Sequence, residues 1–97
     1  MKTKVDNDRF DSYARSFLAT LTEYIERGMA DSKLSKGAKK ELAQSLTFSI
    51  ASLLDGTGSL THEKKQLIPH LAFELQGEKF MVIDDGAIAL HELCELD

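Results

Sequence analysis

The chain has 97 residues, 42% of them hydrophobic and 29% charged, with a single proline and a single cysteine. This composition excludes disordered, collagen-like and disulfide-framework classes and suits one small globular domain, residues 1–97. The net charge is −4, unevenly spread: residues 1–40 hold nine Lys/Arg against six Asp/Glu, and residues 41–97 hold three against ten.

An acidic chain without a long basic stripe is a poor bulk nucleic-acid binder, because phosphate contacts supply most non-specific affinity. No run approaches the roughly 18 apolar residues that a membrane span needs; the best, 46–54, is interrupted by Thr47, Ser49 and Ser52. The first residues turn polar at once, without the apolar stretch of a signal peptide, and one cysteine fits a reducing compartment, so a cytoplasmic location is expected.

The first element is a helix from Asp8 to about Arg27, where Phe10, Tyr13/Ala14, Phe17/Leu18, Leu21 and Tyr24/Ile25 recur every three to four residues. Asp6 suits its N-cap, Val5 and Phe10 the two positions of a hydrophobic staple, and Gly28 its end. A polar connection follows, in which Ser35 can cap a second helix from about Lys36 to Leu54. Its apolar stripe is Leu42, Leu46, Ile50 and Leu53/Leu54; Phe48, Ala43 and Ala51 fall off that stripe, which predicts burial on more than one side. The short connection favours an antiparallel helical hairpin. Asp55-Gly56-Thr57-Gly58-Ser59 then breaks the helix; it lacks the later ligands of a calcium loop and reads as a terminal turn.

Residues 61–84 admit two readings. In one, Leu71, Phe73 and Leu75 form a strand, Gln76-Gly77 turns, and Phe80 to Ile83 returns as its hairpin partner. In the other, which the pattern favours, Thr61 to Gln76 is a helix interrupted at Pro69. Phe80–Ile83 is then a single strand that would pair with its own copy across a dimer axis. A last helix is expected from about Asp85 to Leu96, capped by Asp84, stapled by Ile83 and Ile88, and buried through Ala87, Leu90, Leu93 and Cys94. The expected fold is therefore mostly α, with α+β possible: a helical hairpin, a short helix or β-hairpin segment, and a C-terminal helix.

Three residue groups carry candidate chemistry. Lys33, Lys36, Lys39 and Lys40 gather at the start of the second helix, where cations oppose the helix dipole and an anion or an acidic partner surface would be favoured. His91, Cys94 and Glu95 stand at i, i+3 and i+4, where side chains on one helical face can converge on a metal ion, with His62 or His70 completing the set. Against that stands the ordinary role of a cysteine as a small core residue. Asp84, Asp85, Glu92, Glu95 and Asp97 make the end of the chain acidic and complementary to the lysine cluster of a neighbouring copy.

No nucleophile motif is present, and the acidic surroundings of Cys94 oppose a reactive thiolate. The sequence thus favours a non-enzymatic, cytoplasmic protein-interaction module or small adaptor that self-associates and needs no cofactor. The alternatives are a small-ligand or anion-binding regulator acting through Lys33, Lys36, Lys39 and Lys40, and a metal-dependent enzyme built on His91 and Glu95.

Overall fold

A computed structural model describes residues 1–94. Strand β1 (Lys2–Val5) leads into helix α1 (Asn7–Gly28) and, after a short connection, helix α2 (Lys36–Leu54). A two-residue hairpin follows, β2 (Thr61–His62) and β3 (Lys65–Gln66), then strand β4 (Phe80–Ile83) and a 3-10 turn at Leu90–Leu93.

Both helices begin where side chains can satisfy the free amides of a first turn. Asp6 Oδ1 accepts from the Arg9 amide at 3.1 Å, and Ser35 Oγ accepts from the Ala38 amide at 3.1 Å. On α1, Phe10, Ala14 and Leu18 are fully buried at the i, i+4, i+8 spacing of one helical face. They form the core with Ala51, Val82 and Leu90. Phe73 completes it, its ring centroid 5.5 Å from that of Phe10, 6.0 Å from Tyr13 and 6.2 Å from Phe17. Such tilted and edge-on arrangements are those that ring quadrupoles favour. Val5, the expected staple partner of Phe10, is instead drawn into β1 and remains exposed.

Strands β1 and β4 pair in parallel, Lys2 opposite Phe80 through Val5 opposite Ile83, and both helices lie in the crossover between them. The other edge of β4 is taken at one point, where Phe73 and Val82 exchange backbone hydrogen bonds of 3.0 and 2.7 Å. The strand expected to seek its own copy is therefore flanked within its own chain. Arg9 ties this region to α1: its guanidinium bonds Glu78 at 2.6 Å and the Tyr13 hydroxyl at 2.7 Å, and sits over the Phe80 ring at 5.6 Å.

The fold is α+β, which overturns the expectation of a mostly helical chain with a C-terminal helix. The helix favoured over 61–76 is absent: Glu63 and Lys64 adopt φ of 51° and 66°, forming the tight β2–β3 turn, and Pro69 lies in irregular chain beyond it. The strand-and-return reading is nearer, but it is reduced to the Phe73–Val82 bridge. The expected last helix fails for a local reason. Asp84 and Asp85 do accept from the Ile88 and Ala87 amides, yet the Asp85 amide is held by Asn7 Oδ1 and Gly86 turns left-handed at φ 93°, so only a 3-10 turn forms. The end of that predicted helix, including Glu95, lies outside the described residues.

Candidate functional site

Helix α2 carries two distinct apolar stripes, and the structure buries the one with smaller side chains. Ala43, Thr47 and Ala51 face α1, with Thr47 Oγ1 2.7 Å from Thr22 Oγ1. Small residues let two helix backbones approach closely, and the hydroxyl pair satisfies the buried polar atoms between them. Of the stripe expected to be buried, Leu42, Leu46, Ile50 and Leu53/Leu54, Ile50 and Leu54 are half-buried, Leu54 against the core, while Leu42, Leu46 and Leu53 are 41%, 42% and 39% exposed. At 3.6 residues per turn these leucines and Ser49 fall within about 60° of one another, and about 130° round the helix from the alanine stripe. Their steps of four, three and four residues trace a seam of the kind that packs against another helix.

Further apolar side chains stand exposed around the same end of α2. Leu67 and Ile68 are each half exposed, and a Cβ on Gly56, in the turn that ends α2, would meet Ile68 Cγ2 at 3.1 Å. The molecule as a whole exposes 7019 Å², about 1,500 Å² more than the roughly 5,500 Å² typical of a monomer this size. Its radius of gyration is 15.2 Å against about 12.5 Å for a compact chain of this length, and its extents of 46 × 39 × 21 Å describe a flattened body.

The C-terminal end of α2 holds a second arrangement. Asp55 follows its last residue, and its side chain, only 4% exposed, accepts from the Thr57 hydroxyl at 2.6 Å and the Thr57 amide at 3.0 Å. Its other oxygen meets the His91 amide at 3.0 Å and His91 Nδ1 at 2.6 Å. Burial pushes this carboxyl up, but the hydrogen bonds from Thr57 and His91 outweigh it and hold the pKa down at about 2. An ionised Asp55 can only accept, so Nδ1 carries a proton and the ring is fixed in orientation, its edge against Phe48 at a centroid distance of 5.6 Å. Cys94 lies nearby with Sγ 3.9 Å from the Leu90 carbonyl; desolvation, then the charge of Asp55, push its thiol up, which opposes nucleophilic reactivity. The pair fastens the 3-10 turn to α2.

The candidate metal set is divided: His91 is engaged by Asp55, His62 and His70 are exposed on other segments, and Glu95 lies outside the described residues. Among the described residues no three His, Cys, Asp or Glu side chains gather as metal ligands. Lys33 lies in the loop before α2, while Lys36 and Lys39 stand on its first turn, which holds no acidic residue, and Lys40 follows beside Glu41. Lys39 Nζ donates to the Ala30 carbonyl at 3.2 Å. Sequence reasoning missed the Asp55–His91 contact, which spans 36 positions; the available signal was the Asp-Gly-Thr turn after α2, where an aspartate bonds the amide two residues on.

Compared with known proteins, the chain matches no protein-family model, no curated protein and no solved structure. Among the described residues no helix is long and apolar enough to cross a membrane.

Proposed function

We propose that this chain is a non-enzymatic, cytoplasmic protein-interaction module whose folded state is completed by another protein chain. The observation that carries the reading is the row of large apolar side chains, Leu42, Leu46 and Leu53, left about two-fifths exposed along one face of α2. Monomeric proteins seldom leave extended apolar patches in water, and those that persist mark association surfaces.

Native mass spectrometry of the untagged chain between about 1 and 100 µM tests it. The expected result is a species heavier than one chain whose added mass is protein. A chain that stays monomeric across that range and carries no protein partner when isolated from its native source overturns the reading.

A further inference from the structure

We propose that the free edge of β1 takes an added strand, an extended segment of another protein that brings carboxylates to alternate positions. This surface is separate from the leucine row of α2, and neither depends on the other.

The pairing pattern leaves this edge open. The Asp6 amide donates to the Ile83 carbonyl at 3.0 Å, so by the alternation of a strand Lys2 and Lys4 also turn their backbone groups to β4, while Thr3 and Val5 turn theirs outward. Among the described residues those outward amides and carbonyls meet no backbone partner. All four residues of β1 are exposed, and the strand packs against no described element other than β4. β4 itself is paired on both sides, through β1 and through Phe73, so the sheet can grow only at β1. Main-chain hydrogen bonding to such an edge is a recurring mode of peptide recognition.

Charge selects the occupant. Lys2 and Lys4 stand on one face of the strand about 7 Å apart, the spacing of alternate residues on an added strand, whose side chains directly opposite come within about 5 Å at Cβ. Neither lysine makes an ion pair among the described residues. Lys4 Nζ sits over the Phe80 ring at 5.5 Å, the ring that also carries Arg9 at 5.6 Å; Lys2 is the partner of Phe80 in register and Lys79 its neighbour in the chain. The carboxylates close by are engaged, Asp6 in capping α1 and Glu78 with Arg9. In a chain of net charge −4, this is a local excess of cations with no free carboxylate to meet it. A second β1 does not fit: an antiparallel copy centred on Thr3 sets Lys2 opposite Lys4, one centred on Lys4 sets the two Lys4 opposite each other, and like charges directly opposite destabilise a pair. Edge lysines repel further copies in this way, and carboxylates at alternate positions turn the same barrier into attraction. The remaining side chains of the added strand lie on the other face beside Thr3 and the 56% exposed Val5, where β-branched residues fit.

Fluorescence anisotropy with the full chain and a labelled heptapeptide in which glutamate alternates with valine tests the proposal. Saturable binding is expected, about 10-fold weaker for the peptide with glutamine in place of glutamate. The K2E/K4E variant should lose the glutamate peptide and take the one with lysine in its place. Thr3→Pro removes an outward donor without touching the β1–β4 ladder, and should weaken binding about 10-fold while keeping the wild-type far-UV circular dichroism. Two N-methylated peptides, each blocking one alternate set of amides, ask the same of the ladder with the protein unaltered, and the set that faces β1 should fail to bind. Absence of saturable binding up to about 1 mM peptide overturns the proposal. Full-strength binding of both methylated peptides shows charge attraction without strand addition and overturns it as well, and equal binding of the glutamine peptide overturns the acidic occupant. Each of these failures leaves the leucine row of α2, and the reading that rests on it, standing.

Discussion

One carboxylate oxygen of Asp55 receives both the backbone amide and the Nδ1 proton of His91, at 3.0 and 2.6 Å, and so joins the end of α2 to the 3-10 turn 36 positions later. The carboxylate is almost wholly buried and held at a pKa of about 2, against 3.8 for an ordinary aspartate. The unfolded chain therefore binds this proton more readily than the folded one. The contribution to stability is complete above about pH 4 and is lost as pH falls through about 2; the difference corresponds to about 2 kcal/mol. Urea unfolding at pH 7, 4, 3 and 2 should show the decline, and Asp55→Asn should be less stable at pH 7 with a flatter dependence between pH 4 and 2. An unchanged slope in the variant would refute the assignment to Asp55.

The alanine stripe of α2 leaves no room for larger side chains. Ala43 and Ala51 are completely buried against the rest of the chain. Ala43→Leu or Ala51→Leu should cost about 1–3 kcal/mol by overpacking and lower Tm by roughly 4–8 °C per kcal/mol for a domain this small. Thermal unfolding followed by circular dichroism checks this; a variant as stable as wild type would mean that the helices are not closely apposed there.

The β2–β3 turn places Glu63 and Lys64 at positive φ, where residues with a Cβ are strained. Asn-Gly is the pair such a turn favours. Replacing Glu63 by Asn and Lys64 by Gly should raise stability by about 1 kcal/mol, seen as a higher urea midpoint with an unchanged slope. A lower midpoint would argue against a left-handed turn at these positions.

Local chemistry made much of the helical part legible. Asp6 and Ser35 announce their caps, and the periodicity of Phe10, Ala14 and Leu18 identifies the buried face of α1. On α2 the apolar stripe is only partly the buried face: Ile50 and Leu54 are half-buried while Leu42, Leu46 and Leu53 stay exposed, and the burial expected beyond the stripe falls on Ala43 and Ala51. Alanines contribute little to a hydrophobic pattern, yet Ala43 and Ala51 permit the closer helix contact. The sheet was hidden for a different reason. Lys2-Thr3-Lys4-Val5 is too polar to resemble a buried strand, and only its distant partner at Phe80–Ile83 makes it one. The candidate centre was misplaced in the same way: His91 was weighed against its helical neighbours Cys94 and Glu95, whereas its partner, Asp55, comes from across the chain.

The parallel pairing of β1 with β4 also fixes an order of events during synthesis. Lys2 meets Phe80 across 78 positions, so β1, once made, must wait for almost the whole of the described chain before its partner strand emerges. Closing a loop of that length costs about 4 kcal/mol by the logarithmic length term alone, whereas α1 and α2 are joined by only a few residues and can dock early. The helices are thus a nascent scaffold and the sheet a late fastening, made together with the other distant contacts of this region, Phe10 with Phe73 and Arg9 with Glu78. Until that fastening is made, one flank of the core around Val82 stays open to water, and the interval between helix docking and strand pairing is when the nascent chain is most exposed to misassembly.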